Sequence, residues 1–419
     1  MSRLSLVLAA AIAILFAGCK THDNNDLPQA SRITGKKYGK QSSPQGTQAL
    51  VEGGDGDFSP KRYSMENAPP NLVFIEGGTM HMGGPEKDIG YEQSNRERQI
   101  TVHSFYIDRT EIANGEWKEF CWSTARDSGR QVAELMLPDT TVWFRDLGYN
   151  EPFVELYFQN PAFNNYPVVG VSWHQSQEFC KWRTSVINKG LLEEDPEAVI
   201  NPRFRLPTEG EWEYAARGLL EQELYPWEGK SLRNQKGRFN GNFKRGRGDY
   251  AGRSNEGGSN LIEGLNDGYM IPGPVDSDLY GVNDFGLFNM AGNVAEWTMD
   301  TYRVLAFEDV QDFQPYRRKG EIADQEEWDY VYGKKSEEAG RMSLIHNMYD
   351  PSRVGRFNPA APDKGDDWDR VKVYRGGSWS DVAYYLSCGT RRFWNSDSSA
   401  SNIGFRCAMS RVGSPTLKY

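Results

Sequence analysis

Cysteines are the residues of this 419-residue chain with the most specific chemistry, and the chain has five. A thiolate attacks substrates, holds soft metal ions or forms a disulfide, depending on its neighbours. Cys19 ends an N-terminal apolar run, and the other four are Cys121, Cys180, Cys388 and Cys407. Four cysteines allow three pairings, and spacing alone does not select one.

No other motif indicates catalysis. The five histidines are scattered through the sequence. The patterns His-Glu-x-x-His and Gly-x-Ser-x-Gly do not occur, and the Gly-Lys pairs lack the preceding glycine of a phosphate-binding loop. The sequence therefore predicts no catalytic residue by motif alone.

Cys19 belongs to a lipoprotein-type signal. A short basic start precedes an apolar stretch over residues 4–16, and the small residues Ala17 and Gly18 stand directly before the cysteine. We expect residues 1–18 to be removed and Cys19 to be lipidated, with a plain secretory signal as the alternative. Two or more acyl chains would anchor the mature protein stably to a membrane.

The composition indicates an exported, globular body. After the signal, no apolar stretch reaches the roughly 20 residues that a membrane-spanning helix needs. The net charge of −10 argues against nucleic acid as a partner, while it suits cation binding. Residues 19–69 are polar and glycine-rich and predict a flexible tether. The folded domain is expected over residues 70–412, followed by a tail at 413–419.

Hydrophobic patterning and capping residues predict the elements of this domain. The predicted strands cover residues 72–75, 100–107, 168–173, 371–378 and 404–411. One predicted helix is capped by Asn114, a second covers residues 175–188, and a third is capped by Thr208 with Glu211 three residues on. Residues 225–290 are expected to form ordered loop, and residues 122–166 and 302–372 read as insertions.

Seven sequence blocks resemble the formylglycine-generating-enzyme family, also called sulfatase-modifying factors. They include Arg205-Leu206-Pro207-Thr208-Glu209 and Gly404-Phe405-Arg406-Cys407. The blocks lie at residues 74–83, 104–112, 167–173, 205–213, 290–297, 375–379 and 398–407. The resemblance implies a single α+β domain of the C-type-lectin-like kind with much irregular loop, in place of the two or three domains that length alone permits.

The resemblance also identifies what this chain lacks. Oxidising enzymes of the family hold copper with two cysteines shortly after the Gly-Gly-Ser-Trp turn, and here those positions fall around Asp381 and Tyr384 or Tyr385. A carboxylate and a phenol do not replace two thiolates at a copper(I) site. We therefore expect no copper and no catalytic residue.

The remaining cysteines take structural roles by the same resemblance. Cys180 and Cys407 match the family's positions for a disulfide. Cys388 matches a structural cysteine whose family partner falls at Ala216, so it is expected to be buried or otherwise bonded.

Two calcium sites are implied by motif matching, because hard cations prefer oxygen ligands. One set comprises the side chains of Asn289 and Glu296 with the carbonyls of Gly292 and Val294. The other comprises the side chains of Asn242 and Asp267 with the carbonyls of Phe243 and Tyr269. The alternative is that these Asn and Asp residues form turns.

Two surface features have alternative interpretations. Arg391 and Arg392, beside Phe393 and Trp394, either form a recognition surface or pack into the fold. The insertions carry aromatic residues that either thicken the core or form a docking face. These are Trp122, Trp143, Phe144, Tyr149, Phe153, Tyr157, Phe158, Trp328, Tyr330 and Tyr332.

The insertions further resemble the gliding-motility lipoprotein J group of Bacteroidota, at residues 138–140, 149–155, 160–163, 302–303 and 308–315. This implies a non-catalytic lipoprotein adapter on the periplasmic face of the outer membrane. Its expected partners are other lipoproteins and membrane components of the type IX secretion and gliding machinery. The alternatives are the sister lipoprotein K group, a glycan or peptidoglycan receptor that uses Trp143 or Trp394, and a cysteine-oxidising enzyme that uses Cys388.

Overall fold

The computed structural model describes part of the chain. The described residues are 30–31, 33–34, 36–37, 68–84, 97–145, 151–194, 200–220, 223–234, 237–245, 269, 271–302 and 371–412. The chain divides into two compact units, Met1–Asn67 and Ala68–Tyr419. In the first unit, Ala30 and Lys37 form an isolated antiparallel bridge. Cys19 and nearly all of the predicted tether lie outside the described residues.

The second unit mixes short strands with helices. Its described strands are β1 (Leu72–Ile75), β2 (Gly78–Met82), β3 (Arg98–Val102), β4 (Phe105–Asp108), β5 (Phe204–Arg205), β6 (Ala295–Thr301), β7 (Val371–Arg375), β8 (Arg392–Asn395), β9 (Ile403–Gly404) and β10 (Ala408–Ser410). Its α-helices are α1 (Asn114–Ser128), α2 (Arg130–Leu135), α3 (Glu151–Leu156), α4 (Trp173–Glu194) and α5 (Glu209–Arg217). Short 3₁₀ helices cover Thr140–Arg145, Pro161–Phe163 and Ala383–Leu386.

The strands form three sheets. One has the order β1-β4-β10-β5 and is antiparallel throughout, and a second pairs β2 with β3. The third has the order β8-β7-β6-β9, in which β6 and β9 are parallel. Closing strands predicted near the C-terminus are thus confirmed, although the segment after Arg375 is a turn and the last strand is split into β9 and β10.

The single strand predicted over residues 100–107 is wrong, because the chain changes sheets at His103 and Ser104. β3 pairs with β2, whereas β4 pairs with β1 and β10. Gly77 packs on this break, where an added Cβ would lie 2.4 Å from the Val102 carbonyl oxygen. Ser104 Oγ accepts a hydrogen bond from the Gly77 N–H at 3.0 Å. Period-two alternation alone does not reveal such a change of partner.

Two helix starts differ from expectation. Ala113, rather than Asn114, occupies the N-cap of α1, and its N–H donates to Glu116 Oε2 at 2.8 Å. Asn114 instead donates its side-chain amide to the carbonyl oxygen of Phe163 at 3.0 Å. Residues 168–172 form no strand, and α4 begins at Trp173. The cap predicted at Thr208 is confirmed, since its Oγ1 accepts from the Glu211 N–H at 3.2 Å.

The main core lies between α1, α4 and the β1-β4-β10-β5 sheet. Trp117 stacks on Phe179 with ring centroids 5.5 Å apart, and Phe405 meets both rings edge-on. Such aromatic contacts add about 0.5–1.5 kcal/mol to simple burial. No helix of the described chain is long and apolar enough to span a bilayer.

The insertion at residues 122–166 enlarges the core. Trp143 is 1% exposed and packs with Tyr157 and Trp379, at centroid distances of 4.8 and 5.9 Å. Trp122 and Phe144 are 65% and 62% exposed, so two aromatic residues of the same insertion face solvent. Trp328, Tyr330 and Tyr332 of the second insertion lie outside the described residues.

Candidate functional site

The turn after β7 builds a small polar site. Gly376 and Gly377 have positive φ values of 94° and 67°. An added Cβ at Gly377 would lie 2.7 Å from the Tyr385 carbonyl oxygen, so glycine allows the turn to approach the 3₁₀ helix at Ala383–Leu386. This approach brings Ser378 beside Asp381, and Asp381 is one of the residues, with Tyr384 or Tyr385, around which the family resemblance places the copper-binding thiols.

Asp381 forms an ion pair in that position. Its Oδ1 accepts from Arg392 Nη1 at 2.6 Å, and its Oδ2 accepts from Ser378 Oγ at 2.5 Å. Asn402 Nδ2 donates to Ser378 Oγ at 3.2 Å and supports the hydroxyl from the other side. Both carboxylate oxygens of Asp381 therefore bind groups of the protein itself.

Two tyrosine rings hold the Arg392 guanidinium. Its central carbon lies 4.4 Å from the ring centroid of Tyr385 and 5.1 Å from that of Tyr374. Burial raises the pKa of Tyr374 to about 12, so this phenol stays neutral at physiological pH. The site therefore consists of a carboxylate, a guanidinium, hydroxyls and aromatic rings, and it contains no thiolate.

These residues do not fit copper. The nearest cysteine along the chain, Cys388, is 1% exposed and belongs to the apolar cluster that includes Ala216, the position of its family partner. Burial raises the pKa of Cys388 to about 12, which disfavours the thiolate that would bind metal or attack a substrate. The burial predicted for Cys388 is thus confirmed.

Cys180 on α4 and Cys407 before β10 are brought together. Their sulfur atoms lie 3.5 Å apart and both side chains are fully buried. A disulfide has a sulfur–sulfur distance of about 2.0 Å, so the two thiols are in contact but unbonded in this structure. The disulfide itself stays a prediction.

Glu296 of the first calcium ligand set is paired within the protein. Glu296 is fully buried, and its oxygens accept from Arg406 Nε and Nη2 at 2.6 Å each. Trp212 Nε1 adds a third hydrogen bond to this carboxylate at 2.7 Å. Asn289 donates its side-chain amide to Glu111 Oε2 at 2.9 Å. The first calcium site itself stays a prediction.

The second set keeps one feature that suits a cation. Asn242 is buried, and its Oδ1 has no hydrogen-bond partner in the structure, as a metal-binding oxygen would. Its Nδ2 donates to the Ile271 carbonyl oxygen at 2.9 Å, so the amide orientation is defined. Asp267 lies outside the described residues, and Phe243 packs its ring against Phe239. Asn242 fits calcium, and Phe243 and Tyr269 would contribute backbone carbonyls beside it.

The two ligand sets meet through Asn293, which the sequence analysis missed. Its N–H donates to the Asn242 carbonyl oxygen at 2.7 Å, and its Nδ2 donates to Glu111 Oε1 at 2.9 Å. Asn289 and Asn293 both have positive φ values, 53° and 62°. The one available signal was residue type, because asparagine adopts the left-handed region more readily than other residues with a side chain.

Glu111, also missed, is the buried acid of this network. It is fully buried, and burial raises its pKa from 4.5 to about 8 despite the nearby Arg406. Arg406 already pairs with Glu296 through two hydrogen bonds, so no cation among the described residues pairs with Glu111 alone. We infer a neutral Glu111 at pH 7.

Arg391 and Arg392 take different roles. Arg391 Nε donates to Glu209 at 2.7 Å in the interior, next to the buried pair of Arg375 and Glu213. Arg392 lies at the surface with its side chain 30% exposed. The packing alternative therefore holds for Arg391. Trp143 is too buried to serve a glycan receptor, whereas Trp394 is half-buried.

A cleft of about 770 Å³ lies elsewhere, beside the start of α1. Glu116, Glu119, Asp276 and Asp278 line it together with Arg109. None of its lining residues belongs to the Asp381 site or to either calcium set.

Comparisons with known proteins cover most of the chain. The family profile described as "Sulfatase-modifying factor enzyme 1-like domain" matches residues 57–411. The chain is 28% identical to the formylglycine-generating enzyme of Mus musculus, over 83% of this chain and 80% of that protein. It is 25% identical to the inactive C-alpha-formylglycine-generating enzyme 2 of Bos taurus, over 82% and 89%. Among solved structures, PvdO from Pseudomonas aeruginosa aligns with a TM-score of 0.47 and 17% identity, over 81% and 94% of the two chains.

Proposed function

Because the chain belongs to the sulfatase-modifying factor family, we propose that it is a non-catalytic member that works by binding other proteins. The observation that carries this proposal is the Asp381–Arg392 ion pair in the position of the family's copper-binding thiols. The buried, neutral Cys388 supports it, since the described part of the chain places no accessible thiolate near the site. The names of the relatives include both active and inactive proteins, so family membership is compatible with either state.

A direct assay tests the loss of catalysis. The purified full chain is incubated with copper and a peptide that carries a sulfatase-type cysteine, and the product is analysed by mass spectrometry. We expect no aldehyde, while an active formylglycine-generating enzyme in parallel converts the peptide. Aldehyde formation that disappears in Cys388→Ser would instead establish a cysteine-oxidising enzyme.

We further propose that the protein is an outer-membrane lipoprotein and an adapter of the type IX secretion and gliding machinery. The support is the sequence pattern around Cys19 and the resemblance of the insertions to the lipoprotein J group. Binding of calcium near Asn242 would brace loops and would not take part in chemistry.

Crosslinking in intact cells tests this role. The native protein is crosslinked and its bound proteins are identified, with Cys19→Ala as the matched control. We expect related outer-membrane lipoproteins and motor components with the native chain, and a loss of membrane attachment with Cys19→Ala. Recovery of a repeating homo-oligomeric ring would favour the lipoprotein K type, and recovery of no secretion component would refute the adapter role.

A further inference from the structure

Arg392 and its neighbour Arg391 follow one another in sequence but face different surroundings. Arg391 pairs with Glu209 inside the fold. Arg392 begins β8, at the outer edge of its sheet, and keeps 30% of its side chain exposed. Of the two consecutive arginines, Arg392 is therefore the one that a partner protein could reach.

The exposed guanidinium is held in a defined orientation. Asp381 fixes Nη1 at 2.6 Å, and the rings of Tyr385 and Tyr374 support the planar group at 4.4 and 5.1 Å. A guanidinium carries five N–H donors in a rigid fork, and Asp381 contacts it through Nη1. Such a preorganised fork binds a second carboxylate without the usual loss of side-chain freedom.

The local charge favours an anion. Lys244 is exposed, and its backbone N–H donates to the Asp381 carbonyl oxygen at 2.8 Å, which places it beside the site. Arg392 and Lys244 together carry two positive charges against the one negative charge of Asp381. This patch therefore contrasts with the net charge of −10 of the whole chain and would attract a negatively charged segment.

We propose that Arg392 is the anchor of a recognition site for an acidic segment of a partner protein, with Lys244 at its rim. An Asp or Glu carboxylate of the partner would bind the exposed part of the guanidinium, while Asp381, Tyr374 and Tyr385 keep the group in place. This inference rests on the proposed binding function and gives it a location and a partner chemistry. The family's catalytic position would thus have become a docking position.

A fluorescein-labelled hexaglutamate peptide serves as the probe, with hexaglutamine as its uncharged counterpart. Fluorescence anisotropy with the full chain at low salt is expected to show binding of hexaglutamate only. Arg392→Gln should weaken it about tenfold or more, since a charge-assisted contact is lost. Arg392→Lys keeps the charge and the pairing with Asp381, and it should also weaken binding because lysine lacks the planar fork.

Arg130→Gln is the matched control, because Arg130 also pairs with one carboxylate, that of Glu134, and its side chain is 90% exposed. It should bind hexaglutamate like the native chain. The proposal is overturned if native chain does not bind hexaglutamate, or if Arg392→Gln and Arg392→Lys both bind as tightly as Arg130→Gln. Arg392→Lys keeps the test decisive if Arg392→Gln fails to fold. If the aldehyde assay is negative and both Arg392 variants bind hexaglutamate as tightly as the native chain, this site is rejected while the non-catalytic function stands.

Discussion

Replacing Glu296 with Gln should strongly destabilise the folded domain. The carboxylate of Glu296 is fully buried and neutralises Arg406, which is itself fully buried and lies 2.6 Å away. Gln keeps the shape of the side chain but removes the charge, so Arg406 is left without its counterion. Breaking a buried pair in this way costs about 3–5 kcal/mol. That is a large part of the roughly 5–15 kcal/mol by which domains are stable.

Chemical denaturation of the full chain measures this loss, in chelator and again with added calcium. The matched control is Glu134→Gln, which breaks the exposed pair with Arg130, where the side chains are 90% and 55% exposed. The control should lose about 0–1 kcal/mol. If Glu296 is an ion-pair partner, its substitution costs the same with and without calcium. A loss below about 1 kcal/mol, or one that appears only with calcium, would refute the reasoning.

Three further predictions concern buried groups. The pKa of Glu111 is raised from 4.5 to about 8 in the folded state. The folded state therefore binds this proton more tightly than the unfolded state, and the stability that this gives is complete below pH 4.5 and is lost as pH rises through about 8. The urea concentration at the unfolding midpoint should be lower at pH 8.5 than at pH 5, and this difference should be smaller in Glu111→Gln than in the native chain. An equal difference in the two proteins would contradict the prediction. Iodoacetamide at pH 8 should leave Cys388 unmodified in the native protein and label it in urea, as read by peptide mass spectrometry. Trp143→Ala should cost about 3–5 kcal/mol in denaturation, whereas Trp122→Ala should stay within about 0.5 kcal/mol.

Local elements could be predicted from the sequence where a side chain hydrogen-bonds to backbone atoms a few residues away. Thr208 and Glu211 cap α5 reciprocally, and this depends on residues three positions apart. Strand β1 was also predictable, since a short apolar run that follows Pro70-Asn71 and ends before a Gly-Gly pair has few alternatives. The break between β3 and β4 was not, because it depends on Gly77 and Ser104 meeting across the fold.

Some features of the candidate site could likewise be predicted from the sequence, and others could not. The family blocks could be predicted from the residues alone, as could the place of Asp381 shortly after the Gly-Gly-Ser-Trp turn and the burial of Cys388. The sequence did not determine which charges face each other, since Arg406 and Glu296 are far apart in sequence, as are Glu209 and Arg391.

The pairing of Glu296 with an arginine, the unpaired carboxyl of Glu111 among the described residues, and the burial of Arg391 beside a partly exposed Arg392 all required the folded structure. Burial and pairing depend on distances between segments that are far apart in the sequence. The pKa of a carboxyl group and its ionic partner depend on its burial and on the charges around it, and these are set by the folded structure.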